Sequence, residues 1–266
     1  MTNEELKIYL KFAKRLAKKA GKIMLKYFDE VKEYHYKDDK TIVTEVDEKI
    51  NKMVINEVKK NFKDHAIDGE EEKSGKSKYT WVTDPIDGTA MYQRHIPVAM
   101  FSLALTEEGR PVVGVAYDPF TDTLYEASLG QGAYKNNKPI HVNKTYLEDS
   151  SSVVQIDMWP TATYNLYDIE KEIGKKSYIV TIGSIVHAGV EVAEGNFTLA
   201  LFPAGEGKNC DIAALKIIVE EAGGTVTSLF GEEDKYDRAI HGAIISNGIV
   251  HDEIIDLIKE IGVEKC

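Results

Sequence analysis

The sequence predicts a mainly antiparallel α+β half followed by an α/β half. Two amphipathic helical segments open the chain, and short β segments separated by turn residues fill positions 98–140. Beyond about residue 145, β segments alternate with helical segments, which is typical of α/β structure. No linker rich in proline, glycine or serine separates residues 1–145 from residues 146–266. We therefore expect an amino-terminal and a carboxy-terminal subdomain in one compact unit.

The first predicted element is a long amphipathic helix, because apolar residues recur at steps of three and four positions. The residues of its buried side are Leu6, Tyr9, Ala13, Leu16, Ala20, Ile23 and Tyr27. A second helix is predicted to begin near Thr44, where Asp47 three positions later completes a capping pair. The polar segment 32–40 between the two helices is predicted to be irregular.

The later elements follow from strand periodicity and turn residues. An antiparallel meander is predicted from strands at 99–105, 112–117, 123–127 and 133–134, because glycine, proline, asparagine and aspartate separate them at short intervals. In the second half, strands are predicted at 153–156, 178–181, 197–202 and 243–246. Helices are predicted at 184–194, 211–222 and 251–261.

Composition excludes several classes of protein. An apolar fraction of 43% with 29% charged residues is that of a soluble globular chain. The net charge of -11, with no basic stripe, argues against a nucleic-acid partner. The two cysteines cannot form a disulfide framework, which suits a reducing cytoplasm. No apolar signal core or membrane-length run is present, so we expect a cytoplasmic protein without a membrane partner.

The central stretch of the chain is a strand that leads into a tight turn and carries two carboxylates. Residues 80–84 alternate as in a half-buried strand, and we expect this strand to stop at Asp84. Side chains three positions apart on a straight strand face opposite ways. Asp84 and Asp87 therefore converge only if Pro85-Ile86 bends the chain.

The residues after this bend suit a phosphate group. Gly88 lets a ligand approach the backbone, and Thr89 offers a hydroxyl and an N–H where a helix can begin. Two carboxylates beside such a cradle imply a metal ion between them. The pattern Asp-Pro-x-Asp-Gly is also made of ordinary turn residues, so a plain polar turn is an equal alternative on this motif alone.

Acidic residues at three other sites in the chain have ordinary structural explanations as well. Asp47 suits a helix cap, and the glutamates at 70–72 suit a solvated charge run. Asp211 opens an apolar helical segment, where an aspartate is typically an N-cap.

Four motifs in one order resemble the inositol monophosphatase and fructose-1,6-bisphosphatase family. They are Thr44-Glu45-Val46-Asp47, Gly69-Glu70-Glu71, Asp84-Pro85-Ile86-Asp87-Gly88-Thr89 and Asp211-Ile212-Ala213-Ala214. The likeness covers nearly the whole chain. It implies a layered α-β-α-β-α sandwich and a homodimer. It also implies hydrolysis of a phosphate monoester by water, assisted by two or three Mg²⁺ ions.

The resemblance implies a role for each matched residue. The metal ligands are Glu70, Asp84, the Ile86 carbonyl, Asp87 and Asp211. Asp84 bridges the ions, Glu70 and Ile86 serve the ion that activates water, and Asp87 and Asp211 serve the ion at the leaving oxygen. Glu71 is a weaker candidate ligand than Glu70.

The same resemblance implies catalytic roles for Asp47, Glu70 and Thr89. Asp47 accepts a hydrogen bond from Thr89, whose hydroxyl orients the attacking water, and this role is compatible with helix capping. The implied substrate-binding residues are Asp87, Gly88, Thr89, Gly183 and Ser184.

The substrate side departs from the family pattern more than the metal side. Val180 and Ile185 stand where the family commonly has arginine and alanine, and Cys210 stands where it usually has tryptophan. Residues 201–209 look longer than the matching segment of typical inositol phosphatases. Glu206 is therefore not assigned as their substrate-binding acid.

The expected substrate is a small phosphorylated sugar or inositol, of the inositol monophosphatase or fructose-1,6-bisphosphatase type. A 3′,5′-bisphosphate nucleotidase of the same family is the alternative enzyme. A catalytically inactive phosphosugar-binding module is the alternative outside enzymes, because fold alone does not establish activity. The presence of every matched carboxylate and of Thr89 favours an enzyme.

Overall fold

Two β-sheets organise the part of the chain that the structure describes, which is residues 1–30, 34–36, 42–69, 73–159, 162–205 and 209–265 of a computed structural model. Within these ranges the larger sheet has eight strands, the smaller has five, and a separate hairpin has two. The strands of the larger sheet all precede those of the smaller one in sequence. The predicted subdivision at residue 145 falls between the two sheets.

The helices of the described residues are α1 (Asn3–Tyr27), α2 (Glu45–Asn61), α3 (Thr89–Tyr92), α4 (Tyr167–Ile173), α5 (Ile185–Ala193), α6 (Asn209–Glu221) and α7 (His251–Ile261). Among these helices, none is both long and apolar enough to cross a membrane. The predicted capping pair at the start of α2 is confirmed, because Thr44 and Asp47 form a capping box.

The strands are grouped by sheet. The hairpin consists of β1 (Tyr34–Tyr36) and β2 (Ile42–Thr44). The larger sheet contains β3 (Ala66–Gly69), β4 (Lys73–Ser74), β5 (Tyr79–Asp87), β6 (Met100–Glu107), β7 (Arg110–Asp118), β8 (Thr123–Ser128), β9 (Ala133–Lys135) and β10 (Lys138–Pro139). The smaller sheet contains β11 (Val153–Ile156), β12 (Tyr178–Val180), β13 (Leu199–Phe202), β14 (Thr225–Thr227) and β15 (Ala243–Ser246).

The larger sheet is covered on one face by α1 and α2. Its strand order is β10-β9-β8-β7-β6-β5-β3-β4, in which β3 and β5 run parallel and the other pairs run antiparallel. β6 to β10 are consecutive neighbours, so the predicted meander is confirmed. The apolar residues of α1 and α2 share one core with β3, β5, β6 and β7. This sharing explains the three-and-four spacing of the first helix.

α5 and α6 form the layer between the two sheets. Their buried residues share an apolar core with residues of both sheets. Gly114 in β7 permits close contact, because a Cβ there would lie 2.4 Å from Ile217 Cγ2 and 2.8 Å from the Ala214 carbonyl oxygen of α6. The helix that carries Asp211 therefore lies directly on the larger sheet.

α4 and α7 cover the outer face of the smaller sheet, whose strand order is β12-β11-β13-β15-β14. β11 runs parallel to β12 and β13, whereas β15 pairs antiparallel with β13 and β14. The layers thus run α-β-α-β-α, which confirms the predicted sandwich. α4 and β14 were absent from the sequence prediction because elements of seven and three residues carry little periodicity.

The predicted end of the central strand is wrong. β5 does not stop at Asp84 but continues to Asp87. It pairs with β6 as far as Asp84 and Ser102, and pairing resumes at Asp87 and Met100 after a bulge. Because proline has no N–H to donate to a ladder, a bulge at Pro85 lets the strand continue with one interruption.

The predicted irregular segment 32–40 lies partly outside the described residues. Inside it, Tyr34–Tyr36 form β1, so the prediction is wrong for these three positions. β2 supplies their antiparallel partner, and local polarity does not reveal a partner in another segment.

A buried histidine attaches α7 to the smaller sheet. His251, the first residue of α7, is 4% exposed. Its Nε2 lies 2.9 Å from the Thr227 hydroxyl of β14, and its Nδ1 lies 2.8 Å from the Ser246 hydroxyl of β15. Burial lowers the pKa of His251 below its ordinary value, because a buried imidazolium loses hydration.

We predict that His251 makes the protein less stable in mild acid. The folded state keeps His251 neutral, whereas the unfolded chain protonates it near its ordinary pKa of about 6.5. The stability it contributes is therefore present above about pH 6.5 and is lost as the pH falls below that value. His251→Gln should flatten the pH dependence of the free energy of unfolding, measured by urea denaturation between about pH 7 and pH 5.

The exposed His241 supplies the matched control. His241→Gln removes a histidine from an exposed position and leaves His251 with both of its hydroxyl partners, so the flattening should be larger in His251→Gln than in His241→Gln. A wild-type slope in His251→Gln would show that this histidine does not carry the acid sensitivity.

Candidate metal and phosphate site

Asp84 is the last paired residue of β5 before the bulge and is 2% exposed. Its Oδ1 accepts a hydrogen bond of 2.9 Å from the N–H of Ile86, two residues further on. Such a contact is typical of aspartate in turns and orients the carboxylate. A buried carboxylate requires hydrogen bonds or a cation to offset its lost hydration. Asp84 is therefore a well-held candidate ligand.

The first turn of α6 brings a second carboxylate and a thiol to Asp84. Within the described residues, one donor atom each from Asp84, Cys210 and Asp211 lie within 4.8 Å of one another, and all three residues are buried. Cys210 Sγ lies 3.5 Å from Asp211 Oδ1. Because α6 begins at Asn209, Asp211 lies inside the first turn and is not the N-cap that its position in the sequence suggested.

Two side chains tie the start of α6 to the larger sheet. The Asn209 amide donates a hydrogen bond of 3.2 Å to Asp68 Oδ2 of β3. The Ser102 hydroxyl of β6 donates one of 3.1 Å to the Cys210 carbonyl oxygen. The sheet that carries Asp84 therefore also fixes the turn that carries Asp211.

Asp47 combines helix capping with a contact to the central motif. Its Oδ2 accepts hydrogen bonds from the N–H and the hydroxyl of Thr44, at 2.9 and 2.5 Å. Its Oδ1 accepts one of 3.3 Å from the Thr89 hydroxyl. The two carboxylate oxygens thus have different partners, and the predicted capping and the predicted contact coexist.

Gly88 and Thr89 form the turn that follows β5. Gly88 has φ +84°, and a Cβ there would lie 3.1 Å from the Gly183 carbonyl oxygen, so glycine permits the two loops to approach. The Thr89 hydroxyl lies 2.8 Å from the Ile86 carbonyl oxygen and 3.3 Å from Asp47 Oδ1. Because a hydroxyl has one proton, Thr89 donates to one of these oxygens at a time.

Asp87 caps α5 from a neighbouring layer. Its Oδ2 accepts hydrogen bonds from the Ser184 hydroxyl and, at 2.9 Å, from the Val186 N–H. Its Oδ1 accepts one of 3.2 Å from the Ile185 N–H. The three-donor group of the described residues does not include Asp87, and the convergence of Asp87 with Asp84 stays a prediction. Three donors and a favourable helix dipole explain its direction.

Ser184 is buried, and its hydroxyl both donates and accepts a hydrogen bond. It donates to Asp87 and accepts a hydrogen bond of 3.0 Å from the His187 N–H, which makes it the N-cap of its own helix. Its exposed fraction is 2%. The hydroxyl proton is therefore directed to a carboxylate of the protein.

His187 connects α5 to the loop before β6. Its Nδ1 lies 3.2 Å from the Val98 carbonyl oxygen, and its Nε2 lies 3.4 Å from a Glu191 carboxylate oxygen. Burial opposes the charged imidazolium, but the hydrogen bonds to Glu191 and Val98 outweigh it and raise the pKa of His187. His187 thus contacts the loop through Nδ1 and a carboxylate of its own helix through Nε2.

The structure brings most of the predicted site residues together. The carboxylates of Asp84 and Asp211 are hard oxygen donors of the kind that Mg²⁺ prefers, so they fit the implied metal. The glutamates at positions 70, 71 and 206 lie outside the described residues. Cys210 was not among the predicted site residues. Its only signal in the sequence was its place where the family usually has tryptophan.

Nearly the whole chain matches a known protein family. The family model for the inositol monophosphatase family matches residues 5–262. The chain belongs to this family. A fructose-1,6-bisphosphatase/inositol-1-monophosphatase of Thermotoga maritima is 32% identical over 257 residues, which cover 95% of this chain and 96% of that protein. A protein of the same name from Aquifex aeolicus is 33% identical over 268 residues, which cover 97% of each chain.

A solved structure supports the same family assignment. The structure of a Thermotoga maritima IMPase superposes with a TM-score of 0.84 at 29% identity, and the match covers 95% of this chain and 97% of that one. Members of the inositol monophosphatase family are metal-dependent phosphatases that hydrolyse phosphate monoesters. This chain is accordingly a phosphoric monoester hydrolase of the inositol monophosphatase family.

We predict that the Ser184 hydroxyl stabilises the fold through Asp87. Ser184→Ala removes a donor from a buried carboxylate, and this loss should lower the free energy of unfolding by about 1–3 kcal/mol. Ser184→Thr keeps the hydroxyl and should retain most of the stability. Urea denaturation without added metal measures both variants. Equal losses in the two variants would attribute the effect to packing and not to the hydrogen bond.

Proposed function

We propose that this phosphatase hydrolyses the phosphate monoester of a small sugar or inositol, with Mg²⁺ bound at Asp84 and Asp211. The observation that carries this proposal is the meeting of buried carboxylates from β5 and α6, with Asp84 linked through Ile86 to Thr89. When bound, Mg²⁺ neutralises phosphate charge and activates water for attack on phosphorus. Both bacterial relatives are named fructose-1,6-bisphosphatase/inositol-1-monophosphatase, and these names support this substrate class.

Five groups would hold two or three Mg²⁺ ions in this proposal. They are the side chains of Glu70, Asp84, Asp87 and Asp211 and the carbonyl of Ile86. The assignment of Glu70 rests on the Gly69-Glu70-Glu71 motif. Asp87 accepts hydrogen bonds on both oxygens from α5, and a carboxylate has about four lone-pair sites, so capping and cation binding are compatible.

Thr89 and Asp47 would orient the attacking water. The Thr89 proton is shared between the Ile86 carbonyl and Asp47. A cation at the Ile86 carbonyl would weaken that oxygen as an acceptor and leave Asp47 as the partner of Thr89. When the Thr89 hydroxyl donates its hydrogen bond to Asp47, the Thr89 oxygen can accept a hydrogen bond from water and so set the direction of attack.

The phosphate would be held by backbone donors of two loops. Gly88 and Thr89 contribute N–H groups at the turn after β5, and Gly183 lies against this turn across the contact with Gly88. Ser184 was predicted to contact substrate. The hydrogen bond to Asp87 supports a different contribution for its hydroxyl, which is to keep Asp87 in place.

Two further features are part of the proposal. A homodimer follows from the family resemblance alone. A cytoplasmic location is supported by the cysteine content, because the chain has two cysteines and Cys210 is a buried thiol.

We predict that turnover requires Mg²⁺. A chelator should abolish phosphate release and added Mg²⁺ should restore it, because carboxylates and carbonyls cannot themselves neutralise phosphate. Inositol monophosphate, fructose 1,6-bisphosphate and a nucleotide 3′,5′-bisphosphate assayed in parallel would identify the preferred ester.

Asp211→Asn should lower turnover on the order of a hundredfold or more, since it removes a charge that supports the cation. Undiminished hydrolysis by the metal-free protein would contradict the mechanism.

We predict that Asp47 and Thr89 act as one unit in turnover. Thr89→Ala and Asp47→Asn should each lower kcat, and the double variant should be little worse than the poorer single variant. The free energy of unfolding gives an independent test. Asp47→Asn loses the α2 cap and should be less stable by about 1 kcal/mol, whereas Thr89→Ala keeps the cap.

The alternative, capping alone, makes different predictions for the same four proteins. Asp47→Asn would then unfold more easily but turn over normally per folded molecule. Losses in kcat that multiply in the double variant would also refute the unit, because they would show that the two residues act independently.

A further inference from the structure

A thiol lies among the hard ligands of the proposed metal site. Cys210 Sγ is within 4.8 Å of a carboxylate oxygen of Asp84 and of Asp211, and Cys210 is 2% exposed. Membership of a metal-dependent family points to a cation at these two carboxylates independently of the cysteine. The sulfur therefore belongs to the surroundings of that cation.

The spacing of the sulfur matches a zinc site. Cys210 Sγ and Asp211 Oδ1 are 3.5 Å apart. Zinc bonds of about 2.3 Å to sulfur and about 2.0 Å to oxygen, at a tetrahedral angle, place the two ligand atoms about 3.5 Å apart. Octahedral Mg²⁺, with bonds of about 2.1 Å, would place adjacent oxygens about 3.0 Å apart. In the free protein the same spacing lets the thiol donate a weak hydrogen bond to the carboxylate.

The helix turn that carries the sulfur is held to the larger sheet before any cation binds. Cys210 is the second residue of α6, and its carbonyl oxygen accepts the hydrogen bond from Ser102. Its neighbour Asn209 is bonded to Asp68 of the larger sheet. Because the Cys210 carbonyl and the neighbouring Asn209 side chain are both hydrogen-bonded to the sheet, little backbone freedom remains to be lost on binding.

We propose that Cys210 makes this site a binding site for thiophilic divalent cations of the zinc class, such as Zn²⁺ and Cd²⁺. The ligands are Cys210 sulfur and one oxygen each of Asp84 and Asp211. A metal–sulfur bond forms, the thiol proton is released to solvent, and nothing is oxidised. The inference rests on the proposed function only in placing a cation at these carboxylates. A thiophilic ion held there excludes Mg²⁺ and inhibits the phosphatase.

The Cys210 sulfur determines which cations should lose affinity when it is removed. Thiolate sulfur selects zinc-like ions, whereas Mg²⁺ takes oxygen ligands. Loss of the sulfur should therefore weaken Cd²⁺ or Zn²⁺ binding more than Mg²⁺ binding. The informative quantity is the ratio of the two affinities, because a general distortion of the site would weaken both.

The test is a titration of the metal-free 266-residue chain with Cd²⁺, in which the ultraviolet charge-transfer absorption of a cadmium–thiolate bond is measured. The chain has two cysteines, so Cys210→Ser and Cys266→Ser form a matched pair. We expect the band in the wild type and in Cys266→Ser, and its loss in Cys210→Ser. In Cys210→Ser, the ratio of Cd²⁺ to Mg²⁺ affinity measured by calorimetry should fall on the order of tenfold or more.

Cys266→Ser keeps the test valid even if Cys210→Ser folds poorly, because Cys210 is then the one remaining thiol. Cadmium binding by calorimetry without the band would overturn the proposal, and so would a band that depends on Cys266. Mg²⁺-dependent turnover of the wild type is measured separately. A band without turnover would refute the proposed function alone, and turnover without a band would refute the thiol ligand alone.

Discussion

Asp84 and Asp211 place two carboxylates in one buried donor group, with ligand atoms no more than 4.8 Å apart. Two ionised carboxylates at that separation repel each other by at least about 3 kcal/mol at an effective dielectric constant of about 20. The fold must hold them there without relaxation, because either side chain would gain free energy by moving towards water. The bulge of β5 restrains the first carboxylate, and the anchored first turn of α6 restrains the second. A divalent cation removes the repulsion, which explains why the arrangement suits metal binding.

The contacts that hold this site also hold the layers together. Asp87 of the larger sheet accepts hydrogen bonds from three donors at the start of α5, and Asn209 at the start of α6 donates to Asp68 of the same sheet. The middle helical layer is therefore attached to the larger sheet by polar contacts next to the site and by close apolar packing at Gly114. A change that loosens the layers should also misplace the ligands.

Several side chains of the site have two roles that act through different atoms. Asp47 uses Oδ2 to cap α2 and Oδ1 to contact Thr89. Ser184 donates to Asp87 and accepts from the backbone of its own helix. Cys210 supplies a backbone acceptor to Ser102 and a sulfur atom to the donor group. A structural role for such a residue therefore does not exclude a second role in binding or catalysis.

The sequence by itself determined the elements whose signals are local. Alternation and turn residues were enough for the meander from β6 to β10, three-and-four spacing for α1, and the Thr44–Asp47 pair for the start of α2. Motif order was enough for the family. Only the tertiary structure decided that β5 continues through its bulge, that Asp87 faces α5 and that Cys210 joins Asp84. The physical reason is that periodicity and capping act within one element, whereas the direction of a buried side chain depends on donors and acceptors supplied by elements distant in the chain.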